Sequence, residues 1–125
     1  MGAGKLRAVA AARDGGPVIT LAGEADMTSA GRLDAVIRTQ LAGGAANLTI
    51  DASGLRFADS SAVKVLAMAA RTLAERGGAL MLLDPQPPVI RILELSGISQ
   101  LLTIRRTMRR RDPYTGSSGA GRIWP

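Results

Sequence analysis

The chain has no cysteine and no histidine. Without Cys there is neither a disulfide framework nor a thiolate metal site, a composition suited to a reducing cytoplasm. Without His the Ser-His and Cys-His nucleophile pairs and the usual zinc ligands are gone. Self-contained hydrolase chemistry is disfavoured. Aromatics are scarce, only Phe57, Tyr114 and Trp124, which weakens any reading as a nucleic-acid binder that stacks bases. No apolar run approaches the roughly 18 residues that span a bilayer, and the amino terminus lacks a basic region followed by an apolar stretch. Export and membrane insertion are not expected.

What is present suits one folded domain: 125 residues, 46% of them hydrophobic, with mean hydropathy +0.15. The formal charge of +6 is unevenly spread. Residues 1–104 hold 10 basic and 9 acidic side chains, whereas residues 105–125 hold 6 basic and 1 acidic. The body is nearly neutral. The excess belongs to Arg105, Arg106, Arg109, Arg110, Arg111 and Arg122, interrupted by the Gly/Ser-rich stretch 116–121, so residues 106–125 are expected to form a flexible appendage to a domain over 1–105.

Strand and helix patterns alternate along the body. Leu6 to Ala12 and Val18 to Leu21 read as strands joined through Asp14-Gly15-Gly16-Pro17, an antiparallel hairpin. Ser29 is placed to cap a helix with Leu33, Val36, Ile37 and Leu41 at helical spacing, closed by Gly43-Gly44. Asn47 to Asp51 is a short buried strand, with Ser53-Gly54 as the loop beyond it. A second helix starts near Ser60, directs Val63, Leu66, Ala69, Ala70 and Leu73 inward, and stops at Gly77-Gly78. Ala79 to Leu83 is a strand. Pro87-Pro88 suits the first turn of a third helix ending at Gly97, and Leu101 to Ile104 forms a last edge strand or covers the sheet. The expected class is α/β, a mixed sheet with helices packed against it.

The segment Phe57-Ala58-Asp59-Ser60-Ser61-Ala62-Val63 sets two hydroxyls where a strand's exit turns into a helix. A helix N-terminus carries unpaired N–H groups and partial positive charge, so it accommodates a phosphoserine. The plainer reading is that Asp59 or Ser60 caps the helix. Gly2-Ala3-Gly4-Lys5 lacks the glycine spacing and hydroxyl of a phosphate-binding loop. It is assigned no function.

Gly23-Glu24-Ala25-Asp26, Asp59-Ser60-Ser61 and Pro88-Val89-Ile90-Arg91-Ile92-Leu93-Glu94-Leu95-Ser96-Gly97-Ile98 together resemble the STAS domain of bacterial anti-sigma factor antagonists over about residues 5–105. The resemblance implies a partner-switching regulator that is a substrate and not an enzyme, and that needs no cofactor or metal of its own. The unmodified antagonist binds an anti-sigma factor that is also a serine kinase, and so frees a sigma factor. Phosphorylation of the serine after the Asp, here Ser60, ends that binding until a serine phosphatase reverses it. Glu24, Asp26, Asp59, Ser61, Ala62 and Lys64 are the implied partner-contact positions, with Asp26 reading equally as a helix-entry turn residue and Ser61 as a cap or local hydrogen-bonding group. Ala62 and Lys64 replace glycines common in the family, and Lys64, one turn beyond Ser60, is placed to pair with a phosphate there. Two other functions remain open: an unphosphorylated STAS scaffold or transport-associated module, and nucleic-acid binding through the Arg-rich tail.

Overall fold

The computed structural model describes residues 5–107. Five strands and three helices alternate: β1 (Leu6–Ala11), β2 (Val18–Ala25), α1 (Ala30–Ala42), β3 (Leu48–Ala58), α2 (Ser60–Glu75), β4 (Leu80–Leu83), α3 (Pro87–Ser96), a 3-10 turn (Ile98–Leu101) and β5 (Thr103–Arg105). The strands lie in the order β1-β2-β3-β4-β5. β1 is antiparallel to β2, and every later neighbour is parallel. The expected hairpin and mixed α/β sheet are what forms.

Alternation along the strands selects the core face. Leu6, Ile19, Leu21, Leu48, Ile50, Leu80 and Leu82 are buried in one cluster with Leu33 and Ile37 of α1, Leu66 and Leu73 of α2, and Val89 and Leu93 of α3. In α2 the buried residues Val63, Leu66, Ala70 and Leu73 follow the i, i+3, i+7, i+10 spacing of one helix stripe. Each fully buried Leu contributes about 1.5–3 kcal/mol of hydrophobic stabilisation. The Ala positions 62, 69 and 70 let the α2 backbone come close to its neighbours.

Two expectations are corrected. β2 runs on through Gly23-Glu24 to Ala25, and β3 does not turn at Ser53-Gly54 but continues to Ala58. Gly23 and Gly54 mark close approaches inside the sheet. A Cβ on Gly23, whose φ is +107°, would fall 1.9 Å from the Lys5 carbonyl oxygen, and one on Gly54 would fall 2.8 Å from that of Leu21. The β2–β3 register shifts between Thr20 and Ala22 and again between Gly23 and Glu24. These irregularities account for the three-residue spacing of buried Ala52, Leu55 and Ala58 in β3.

Thr107 donates through its N–H to Asp84 Oδ1 and through its hydroxyl to Asp84 Oδ2, both at 2.7 Å. Thr107 is thereby tied to the residue that follows β4. The remainder of the expected tail, including Arg109, Arg110, Arg111 and Arg122, lies outside the described residues, as does Gly2-Ala3-Gly4. Leu101 to Ile104 divides between the end of the 3-10 turn and β5, which pairs with β4 as the edge strand.

Candidate functional site

The last register pair of β2 and β3 joins Ala25 to Ala58. The loops that follow are thereby held side by side, one carrying Asp26 to Ser29 and the other Asp59 and Ser60. Asp59 N–H donates to the Ala25 carbonyl at 3.0 Å, extending the strand pairing into the turn.

Asp59 joins the two loops with its side chain. Its Oδ1 accepts the N–H groups of Ser61 (2.9 Å) and Ala62 (3.2 Å), capping α2, and its Oδ2 accepts the Met27 N–H at 3.0 Å. The cap reading is thus satisfied by Asp59, which leaves Ser60 without that duty. Ser60 is the first residue of α2 and is exposed. Among the described residues its hydroxyl has no hydrogen-bond partner, and neither has that of Ser61, which is half-buried. Replacing Asp59 with Ala is expected to cost about 1–2 kcal/mol through loss of the cap, a fall in Tm of roughly 4–16 °C. Asp59→Asn keeps an acceptor for α2 but is expected to weaken the Met27 link. Thermal melting by circular dichroism checks both, and an unchanged Asp59→Ala melt would remove Asp59 as the joint.

Asp26 organises the first loop. Its Oδ2 accepts Lys5 Nζ at 2.5 Å, and its Oδ1 accepts the Thr28 N–H (2.9 Å) and hydroxyl (2.6 Å). The hydrogen bond from Lys5, followed by that from the Thr28 hydroxyl, holds the Asp26 carboxyl well below the usual carboxylate range. The same contact raises Lys5 above its ordinary value. A depressed carboxyl favours the folded state above its unfolded pKa, and that contribution fades as the pH falls through the folded value.

Ser29 stands at the N-cap of α1 but does not cap it by side chain. Its hydroxyl instead donates to the Glu24 carbonyl at 2.9 Å and accepts the Asp26 N–H at 3.0 Å. The loop is fastened to the end of β2. Glu24 faces Arg56 of β3, at 3.5 Å.

The expected contact positions separate by exposure. Lys64 is exposed one turn beyond Ser60, and Glu24, Asp26, Asp59 and Ser61 are half-buried around the loop ends. Ala62 is 1% exposed, so its methyl group belongs to the core. Its N–H is what serves the site.

Three participants carried no assigned role in the sequence. Lys5 pairs with Asp26 across the sheet end, a meeting that only strand register reveals. Met27 and Phe57 are exposed at 76% and 46%, large apolar side chains on the segments that flank Ser60. An apolar residue in a polar loop and a lone aromatic two residues before the Asp were the available signals. Exposed apolar side chains of this size are of the kind that protein interfaces bury.

Among the described residues no group of His, Cys, Asp or Glu could hold a metal ion, and no helix is long and apolar enough to cross a membrane. A family model described as "Mlab, STAS domain" matches residues 9–103. No curated protein matches the chain. Among solved structures it is similar to an anti-sigma factor antagonist from Mycobacterium paratuberculosis, at 26% identity and TM-score 0.74 over 82% of this chain and 87% of that one. It is also similar to the anti-sigma factor antagonist SpoIIAA in unphosphorylated form, at 24% identity and TM-score 0.70 over 82% and 90% of the two chains. The phosphorylated form of SpoIIAA, described as a Bacillus cell fate determinant, gives 25% identity and TM-score 0.66 over 82% and 93%. With the mixed five-stranded sheet, the capped α2 and a family match across most of its length, the chain belongs to the STAS domain family and has the fold of the anti-sigma factor antagonists.

Proposed function

We propose that this protein is a cytoplasmic anti-sigma factor antagonist that binds an anti-sigma serine kinase, frees a sigma factor for transcription, and is released when that kinase phosphorylates Ser60. A serine phosphatase resets it. The observation that carries the reading is the exposed, unpartnered Ser60 hydroxyl at the start of a helix already capped by Asp59, with Met27 exposed on the loop that Asp59 holds and Phe57 exposed near the end of the preceding strand. Similarity to SpoIIAA, whose structure exists in a phosphorylated form, supports it.

A phosphate on Ser60 brings about −1.5 to −2 charges and three acceptor oxygens. The positive end of a 16-residue helix accommodates that charge within the monomer, and exposed Lys64 is one turn away. A partner packed over the same surface must desolvate the dianion beside the Asp59 carboxylate, which costs several kcal/mol. The fold is preserved and the complex is lost.

The second reading is an unphosphorylated scaffold or transport-associated module that keeps the same STAS fold and leaves Ser60 unmodified. Affinity purification with phosphosite mapping separates the two. Capture of an anti-sigma kinase, with phosphate on Ser60, is the expected result. Capture of transporter components with Ser60 unmodified would replace the switch with the scaffold.

A further inference from the structure

We infer that the free edge of β1 pairs with β1 of a second copy of this chain, joining two sheets into one across a two-fold axis. The Glu24 N–H donates to the Lys5 carbonyl at 2.7 Å, beside the Leu6–Gly23 pair. Antiparallel pairing alternates hydrogen-bonded and non-hydrogen-bonded pairs. Arg7, Val9 and Ala11 therefore turn their backbone groups toward β2, and Leu6, Ala8 and Ala10 turn theirs away from it. No other strand or side chain among the described residues meets those outward groups.

Edge strands are ordinarily protected by charge, proline, bulges or a covering element. From Ala8 to Ala12 this edge carries no charged residue and no proline, and the β1–β2 register runs without a shift. On the open face of the sheet Val9 is 60% exposed.

The edge fits its own copy. With Ala8 opposite Ala8 of the second copy, Leu6 faces Ala10 in both directions, and every outward N–H and C=O of Leu6, Ala8 and Ala10 finds a partner. On the open face Arg7 falls opposite Val9 of the second copy, where its aliphatic stem covers the exposed side chain. No cation stands directly opposite another within β1, and the charge of Lys5 is committed to Asp26. A two-fold pairing of this kind is closed, so it ends at a dimer. The small side chains Ala8 and Ala10 shape no pockets of the sort that read a foreign peptide strand. The cationic segment from Arg105 to Arg111 is a poor occupant beside Arg7.

The test is the mass of the full chain by light scattering across a concentration series, with amide hydrogen exchange on the same samples. A dimer is expected, together with protection at the Leu6, Ala8 and Ala10 amides that fades on dilution. Ala8→Pro removes an N–H that β2 does not use, so it is expected to leave the monomer folded and abolish the dimer. A monomeric mass throughout, an Ala8→Pro protein that still dimerises, or those three amides exchanging freely at the highest concentration would each overturn the proposal. Should Ala8→Pro fail to fold, the exchange pattern of the parent protein decides.

Discussion

Leu66→Asp is expected to unfold the domain. Leu66 is 2% exposed on the inner stripe of α2, among side chains from the sheet and the other helices. Truncating a buried leucine costs about 2–5 kcal/mol on its own. A carboxylate in its place adds the desolvation of a charge with no partner in the cluster, further kcal/mol against a total stability of about 5–15 kcal/mol. A fall in Tm of at least roughly 20 °C, or no cooperative transition, is therefore the expected result by circular dichroism. Lys64→Asp, on the exposed face of the same helix, is the matched control and should melt close to the parent. If Leu66→Asp melts with the parent instead, the inner face of α2 is misassigned, and the outward placement of Ser60 falls with it.

That dependence shows which parts of the fold the sequence made legible. The α2 stripe was readable because a helix repeats its apolar positions at a fixed spacing, and Val63, Leu66, Ala69, Ala70 and Leu73 all came out buried. The lengths of β2 and β3 were not. Gly23 and Ser53-Gly54 have turn composition, and Asp51 accepts hydrogen bonds from the N–H and hydroxyl of Ser53 as a turn residue does. Pairing with the neighbouring strand overrides that local preference. The close contacts at both glycines lie between residues distant in sequence, so local pattern carries no trace of them.

The site divides the same way. Asp59 and Ser60 were legible because capping is a local exchange between a side chain and the next few amides. Their connection to Met27 was not, since it requires the ends of β2 and β3 to be adjacent and in register. Lys5 illustrates the point from the other side. Its neighbours suggested a failed phosphate loop, whereas its contact is Asp26, 21 residues away. Ala62 entered as a contact position through the resemblance alone, and the burial of its methyl group is visible only in the structure.

Ser60→Ala is expected to fold, to bind the cognate anti-sigma kinase and to accept no phosphate, leaving the antagonist permanently active. The cap of α2 rests on Asp59, so loss of the Ser60 hydroxyl removes no hydrogen bond among the described residues. Ser60→Asp is expected to fold as well, because a carboxylate suits the helix N-terminus, and to bind the kinase at least about tenfold more weakly, ~1.4 kcal/mol. Its single charge reproduces only part of the phosphate's, so the phosphorylated parent should bind more weakly still. Titration of each form against the kinase with ADP present measures the affinities, and mass spectrometry after incubation with ATP locates the phosphate. Phosphate on Ser61 in the parent, or Ser60→Ala modified as efficiently as the parent, would transfer the switch to another hydroxyl. Equal affinity of the phosphorylated and unmodified forms would remove the electrostatic basis for partner exchange, because the dianion would then add no penalty to burying the surface around Ser60.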